Sequence, residues 1–190
     1  MIEIVEYKPS WKDEFIDIGD HLREHLGDLA LRIDHIGSTS VPGLAAKDLI
    51  DVQVTVAERT TAVYDAFMAA GYVKSRHESD HVPPEKPTDP REWEKWLFKS
   101  PETMREVNCH VRMPGRSNQR YALLFRDYLR AFPAVAGAYG QAKSAIVKYH
   151  PEEDMEAYYD IKDPICDIIF SGAELWAVAM RWELGPSDIE

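Results

Sequence analysis

The chain has few of the features that mark secreted, membrane-spanning or nucleic-acid-binding proteins. Its 190 residues include two cysteines, Cys109 and Cys166, which lie far apart and lack a C-x-x-C spacing. We therefore expect reduced core thiols rather than a disulfide framework or a zinc motif. The chain has no apolar run long enough to cross a membrane, and its start does not resemble a signal peptide. These absences predict a cytoplasmic protein without a membrane partner.

Basic residues are also scarce. The 22 lysines and arginines face 33 aspartates and glutamates, for a formal net charge of −11. A nucleic-acid polymer is not expected as partner, because neutralising a phosphate backbone needs clustered Lys and Arg. Residues 105–130 are the exception, with six arginines against two acids. Such a patch suits a small phosphorylated ligand, but arginines paired with nearby acids on a helix face would give the same pattern.

The order of strand and helix patterns predicts an α+β fold in one domain, residues 1–190. Strand patterns fall in residues 1–113, at about 2–7, 29–36, 49–56 and 72–76, and in a hairpin of 93–100 with 106–113. Residues 114–190 are mainly helical, and the last helical region, from about Glu153 to Leu184, has Pro164 and Gly172 as candidate breaks. Ser10 stands where an N-cap is expected for the first helix.

The candidate site begins in HIGSTSVPGLAAKDLIDVQV, residues 35–54. Gly37 permits a sharp turn whose N–H groups approach a ligand closely. Three hydroxyl side chains follow it: Ser38, Thr39 and Ser40. Pro42 favours a short helix over residues 42–47, whose first N–H groups would attract an anion. Taken alone, these residues also fit an ordinary surface connection.

Two strands are expected to bring polar side chains to this turn. Asp51 and Gln53 are two residues apart in the strand that follows the turn, so their side chains point to the same face of the sheet. In EVNCHVRM, residues 106–113, His110 lies on the polar face of a later strand. It is the candidate for a third group beside the other two, although a half-exposed sheet histidine bonded to a neighbour is an equally ordinary reading.

The combination resembles the hG[GS]…Dh[DE]h signature of the nucleotidyltransferase superfamily, the polymerase β-like fold. It is closest to the GrpB family, also called UPF0157, whose recurring words resemble HIGSTSVPGLAAKPIIDI and FRDYLR. Here they stand as HIGSTSVPGLAAKDLIDV and, in residues 124–133, as LFRDYLRAFP; Tyr159 and Lys162 match a further Y-x-x-K word. The resemblance covers nearly the whole chain. It implies a nucleotidyltransferase-like mixed β-sheet with helices packed on it, followed by a C-terminal helical region.

The resemblance also implies roles for individual residues. Those implied to bind nucleotide or phosphate are Gly37, Ser38, Thr39, Ser40, Lys47, Arg120 and Arg126. A divalent metal, Mg²⁺ or Mn²⁺, is implied on Asp51, Gln53 and His110, and catalytic roles fall to Asp51 and His110. Nucleotidyl transfer usually uses three carboxylates to hold two Mg²⁺ ions. This chain offers one carboxylate, one amide and one imidazole, a set better suited to Zn²⁺ or Mn²⁺.

Three functions therefore stay open. The first is a nucleotidyltransferase. The second is a non-catalytic nucleotide-binding or chaperone-like module with a protein partner; GrpB-like domains also occur fused to dephospho-CoA kinase, although this chain has no G-x-x-x-x-G-K-[ST] motif. The third is a metal-dependent hydrolase that uses His110 with His77 or His81 of the proline-rich loop 77–90.

Overall fold

The computed structural model describes residues 3–149 and 155–189. Within these residues, five strands form one mixed sheet and five α-helices flank it. The elements, in chain order, are α1 (Ser10–Leu26), β1 (Ala30–Ile36), β2 (Ile50–Val56), α2 (Thr61–Ala69), β3 (Val73–Lys74), β4 (Trp96–Lys99), β5 (Val107–Arg112), α3 (Ser117–Ala131), α4 (Pro133–Tyr149) and α5 (Met155–Met180). The predicted α+β class is confirmed.

The sheet has the strand order β1-β2-β5-β4-β3. The central pair, β2 and β5, is parallel, and the other neighbours are antiparallel. In the parallel register Asp51 lies beside Asn108, and Gln53 lies beside His110. The predicted meeting of these polar side chains on one face of the sheet is therefore present.

The opposite face of the sheet is apolar. Side chains that alternate with the polar ones, such as Val52 and Cys109, are fully buried in one cluster with α1 and α2. The helix α1 contributes a stripe at helical spacing that includes Trp11, Phe15 and Leu22. The sheet thus has one face sealed by two helices and one face left for polar groups.

The C-terminal helices cover part of the polar side. Leu129 of α3, Tyr139 of α4 and Ile169 of α5 share an apolar cluster with Val41 and Leu44. This packing brings α3, α4 and α5 against the segment that joins β1 to β2. No helix in the described ranges is long and apolar enough to span a membrane.

The predicted short helix over residues 42–47 is wrong. A single 3₁₀ turn covers Ser38–Ser40 instead, and the Leu44 N–H donates to the Val41 carbonyl at 3.1 Å. Between them, Gly43 has φ +79°. Pro followed by a positive-φ Gly, with this hydrogen bond across them, is the pattern of a type II turn rather than of a helix start. No helical N-terminus at Pro42 is available to bind an anion.

Other element boundaries also differ from the expectation. Ser10 is the first helical residue rather than the cap, and its Oγ donates to Glu14 at 2.8 Å. Of the strand expected at residues 2–7, residue 2 lies outside the described residues, and residues 3–7 show only a bridge between Val5 and Ala46. The last helix continues through Pro164 and Gly172 without a break; its predicted start at Glu153 lies outside the described residues.

The C-terminal residues fasten the outer edge of the sheet. The Ile189 N–H donates to the Ile33 carbonyl, and the Asp188 carboxylate accepts from the His35 N–H. Arg126 of α3 is 6% exposed and donates to both the His35 carbonyl and Asp188. One guanidinium therefore joins α3, β1 and the C-terminal residues.

We expect Arg126→Met to lower the free energy of unfolding by about 2–4 kcal/mol, because it removes a buried guanidinium from charged partners. Arg91→Met is the control: Arg91 pairs with Asp89 at the surface, where an ion pair contributes little. Urea denaturation of the three proteins measures the difference. Equal loss in both variants would contradict this role of Arg126.

Candidate functional site

A cavity of about 910 Å³ opens on the polar face of the sheet. Its walls come from the glycine turn (residues 37–40), from the loop that precedes β4, from β5, and from the helices α3, α4 and α5. The lining includes five lysines: Lys47, Lys95, Lys99, Lys143 and Lys162. It also includes six aromatic residues: Trp93, Tyr121, Phe125, Tyr139, Tyr158 and Tyr159. The cavity thus combines positive charge with flat aromatic surfaces.

Gly37 and Asp51 meet at the base of this cavity. Gly37 has φ +69°, in the region that favours glycine, and a Cβ at this position would overlap the Asp51 carboxylate. The antiparallel pairing of β1 with β2 sets this approach, since Ile36 lies opposite Asp51. The glycine is needed here both for its backbone angle and for its missing side chain.

Neighbours on β5 orient the Asp51 carboxylate. His110 Nε2 and Asn108 Nδ2 each lie 3.3 Å from Asp51 Oδ1. His110 Nδ1 faces the Lys95 ammonium at 3.3 Å, so Nδ1 accepts and Nε2 carries the proton. Burial together with Lys95 lowers the pKa of His110, although Asp51 opposes this shift. The imidazole is therefore neutral and donates to Asp51.

These donors keep Asp51 ionised. Burial alone would raise the pKa of Asp51, but the hydrogen bonds from His110 and Asn108 outweigh it and hold this pKa below its usual value. Asp51 is thus a fixed, charged carboxylate at the edge of the cavity beside the glycine turn.

A buried ion cluster centred on Asp80 lies next to His110. Asp80 accepts from Lys95 at 2.5 Å, from Arg112 at 2.9 and 3.0 Å, and from Asn118 at 3.0 Å. Despite burial, Arg112 and Lys95 lower the pKa of Asp80 far below its usual value. The cluster joins the loop, β5 and α3, and its two cations face one nitrogen of His110.

Lys143 of α4 contacts the glycine turn directly. Its ammonium donates to Ser38 Oγ at 2.8 Å, and the residue is 3% exposed. Burial, reinforced by Lys162 and Lys47, lowers the pKa of Lys143 to about 7. Nearby, the Lys47 ammonium lies 4.2 Å from the centre of the Tyr158 ring. A cation with little neutralising contact thus sits at the predicted phosphate turn.

The other hydroxyls of the turn have internal partners. Ser40 Oγ donates to the Gly37 carbonyl at 2.6 Å. Thr39 Oγ1 is 3.1 Å from His35 Nε2, and His35 stacks on Phe15 with ring centres 4.6 Å apart. Burial lowers the pKa of His35 to about 3, so the ring is neutral. Of the three hydroxyls, the one that meets a lysine ammonium is that of Ser38.

Gln53 lies apart from the cavity. Its Oε1 accepts from Arg112 at 2.6 Å, and its Nε2 donates to the Gln119 carbonyl at 3.2 Å. The residue is fully buried, so a metal at its Oε1 would have to compete with the Arg112 guanidinium. Of the three expected metal ligands, Asp51 is therefore the one that offers charged oxygens to the cavity.

All six arginines of residues 105–130 pair with carboxylates. The pairs are Arg105 with Glu14 and Asp48, Arg112 with Asp80, Arg116 with Glu92, Arg120 with Glu174, Arg126 with Asp127 and Asp188, and Arg130 with Asp127. Arg120 and Arg126 lie outside the cavity lining. The positive charge that faces the cavity comes mainly from lysines on other elements.

The histidines of the proline-rich loop do not form a three-ligand metal group with His110 among the described residues. His81 Nε2 lies 3.1 Å from both carboxylate oxygens of Asp167 on α5, and His77 is an exposed part of the lining. The loop is fixed to α5 at this point and also through Lys86 and Glu174. It forms one wall of the cavity.

Sequence patterns missed two residues that shape the site. Asp80 lies in a proline-rich loop without periodicity, so nothing local marks it as the centre of an ion cluster. Lys143 lies in a helix rich in small residues, and its approach to Ser38 depends on how α4 packs. Tyr158 and Lys162, by contrast, fall in or beside the Y-x-x-K word that the family resemblance singles out.

The mixed sheet and its flanking helices place the chain in a nucleotidyltransferase-like fold class. A solved structure of the poly(U) polymerase Cid1 shares this fold, with a TM-score of 0.50 and 11% identity over 83% of this chain and 49% of that chain. The glycine turn beside an aspartate on the next strand is the local arrangement expected of the class.

Within this class, the chain belongs to the GrpB family, whose model, described as GrpB protein, matches residues 1–171. The crystal structure of GrpB from Enterococcus faecalis has a TM-score of 0.72 and 28% identity, covering 92% of this chain and 99% of that one. Other curated relatives carry the name UPF0157.

A dephospho-CoA kinase of Mycolicibacterium paratuberculosis is 32% identical over 96% of this chain. The match covers 48% of that relative. The chain therefore spans about half the length of the curated relatives that bear this name.

We expect Gly37→Ala to lower the free energy of unfolding by roughly 2–5 kcal/mol, since backbone strain adds to a clash with Asp51. Gly43→Ala is the matched control, because Gly43 also has positive φ but nothing lies within 4 Å of an added Cβ. It should lose about 1–2 kcal/mol. Equal losses in urea denaturation would show that the approach to Asp51 is not tight.

Proposed function

We propose that the cavity binds a nucleotide or a similar phosphorylated small molecule, with its phosphates at the glycine turn. The observation that carries this proposal is the buried contact between Lys143 and Ser38 at 2.8 Å. A lysine ammonium beside a hydroxyl at the backbone of a glycine turn is an arrangement that binds phosphate oxygens. Desolvated charge of this kind is unfavourable until an anion arrives.

The aromatic lining suits the remainder of such a ligand. Tyr158 and Tyr159 stand beside Lys47, and Trp93 and Tyr121 line the cavity further along. A nucleobase stacks on aromatic rings without requiring a particular hydrogen-bond pattern. The cavity volume is also in the range of sites for small organic ligands. Phosphate and base can therefore be accommodated together.

The residues at the cavity suit the expected divalent metal only in part. Mg²⁺ commonly binds through one or two carboxylates together with ligand phosphates, and Asp51 supplies one charged carboxylate near the turn. The two-ion arrangement of nucleotidyl transfer does not fit, because Gln53 is bonded elsewhere and His110 directs its N–H at Asp51. One Mg²⁺ carried in by the ligand would neutralise phosphate charge against Asp51.

Nucleotidyl transfer is the second candidate, favoured by the close approach of Gly37 and Asp51. The chain's own groups would then hold the triphosphate at Ser38 and Lys143 and keep Asp51 ionised through His110. Relatives named dephospho-CoA kinase make coenzyme A precursors further candidate ligands, either for this reaction or for a binding module that acts on a partner protein.

A thermal-shift panel of the four nucleoside triphosphates, their diphosphates and dephospho-CoA tests the proposal. We expect at least one compound to raise the melting temperature, because a ligand that binds only the folded state stabilises it. Its dissociation constant, measured by calorimetry, should weaken about 10- to 100-fold in Lys143→Met. Lys12→Met, an exposed change on α1, is the control.

The same calorimetry should detect proton uptake. The pKa of Lys143 is about 7, so above this pH the free protein must gain a proton when phosphate binds. Affinity should then fall as pH rises above about 7, and Lys143→Met should lack this slope. The proposal fails if no compound shifts the melting temperature, or if Lys143→Met binds as tightly as the unmodified protein.

We expect Asp51→Asn to change affinity in opposite directions with and without Mg²⁺. Without the ion, removing a carboxylate near phosphate relieves repulsion and tightens binding; with the ion, it removes a ligand and weakens binding. Asp65→Asn, exposed on α2, should change neither. A uniform effect of Asp51→Asn under both conditions would exclude the metal role but not the phosphate site.

A further inference from the structure

A second group of ligand-type side chains lies on α1, which covers the face of the sheet opposite the cavity. His21, Glu24 and His25 occupy positions i, i+3 and i+4, which share one helix face. One ligand atom from each lies within 4.8 Å of the others, and among the described residues this is the one such three-residue group. The two imidazole rings have centres 4.5 Å apart.

Backbone carbonyls fix the proton on each imidazole. His21 Nε2 lies 3.0 Å from the Ala70 carbonyl oxygen, and His25 Nδ1 lies 2.9 Å from the His21 carbonyl oxygen. A carbonyl only accepts, so each of these nitrogens carries the proton. His21 Nδ1 and His25 Nε2 are left with lone pairs. Metal-binding histidines show this same pattern, with the other ring nitrogen donating to a carbonyl.

The local charge favours a cation. The group lies in the last turns of α1, where the carbonyl end of the helix is negative. Asp17 lies one helical turn before His21, and Asp28 lies three residues after His25. The nearby positive group, Arg23, donates to the Gly27 and Ala30 carbonyls at 2.8 and 2.6 Å. These bonds hold the Arg23 guanidinium at the C-terminal end of α1.

We propose that His21, Glu24 and His25 form a binding site for a divalent transition-metal ion of the Zn²⁺ type, with an open fourth position for water. Two imidazoles and one carboxylate suit Zn²⁺, whereas Mg²⁺ prefers oxygen ligands alone. The site is independent of the phosphate cavity. A bound ion would fix the end of α1 and, through His21, its contact with the Ala70 carbonyl that follows α2.

Calorimetric titration of Zn²⁺ into chelator-treated protein tests this site. We expect one equivalent to bind, and its affinity to fall by at least about tenfold in both Glu24→Gln and His25→Gln. Glu24 is exposed, and glutamine keeps the helix propensity of glutamate, so this variant should stay folded. Circular dichroism of each variant verifies the fold.

Two controls separate this site from the cavity. His77→Gln and His81→Gln each remove a histidine that lines the cavity; both should bind Zn²⁺ like the unmodified protein. The proposal is overturned if the unmodified protein binds no Zn²⁺, or if Glu24→Gln and His25→Gln bind it with unchanged affinity. Neither result bears on phosphate binding, which the Lys143 variant tests separately.

Discussion

The charge of Asp80, whose side chain is 17% exposed, is the constraint on which the site most depends. A largely buried carboxylate is stable only with close cations and donors, and here these come from Lys95, Arg112 and Asn118. Satisfying one loop residue therefore requires the loop, β5 and α3 to meet. The same cations lie beside His110 Nδ1, and burial together with their charge lowers the pKa of the imidazole, which stays neutral with its proton directed at Asp51.

The arginines and the lysines of the chain differ in the partners of their positive charge. Arginines on β5, α3 and the turns between strands and helices are matched one by one with carboxylates and hold elements together. The guanidinium suits this task because it makes several directed bonds at once. Lysines such as Lys47 and Lys143 instead face the cavity, where their nearest partners are an aromatic ring and a hydroxyl. Charge available to an anion is therefore on lysines, in a protein that is acidic as a whole.

The sequence was sufficient for the features that depend on local pattern. Alternation placed Asp51 and His110 on one sheet face, and Gly37 marked the turn between β1 and β2. The sequence was insufficient where contacts between residues far apart in the chain determine the conformation or the ion-pair partner. Residues 42–47 contain Pro and small residues that fit a helix start, but Gly43 takes a positive φ and closes a turn on Leu44. The arginine patch was visible in sequence, whereas its carboxylate partners lie up to 91 residues away, as Glu14 does from Arg105.

The departure from three carboxylates follows from the same packing. Arg112 must neutralise Asp80, and its remaining donor reaches Gln53 Oε1 at 2.6 Å. In place of Gln53, a carboxylate would pair with this guanidinium, in the interior of the sheet, rather than with a metal in the cavity. An acid at position 53 would thus compete with Asp80 for the Arg112 guanidinium. A chain that builds the cluster keeps the glycine turn and Asp51 at the cavity, while the side chain at position 53 is bonded to Arg112.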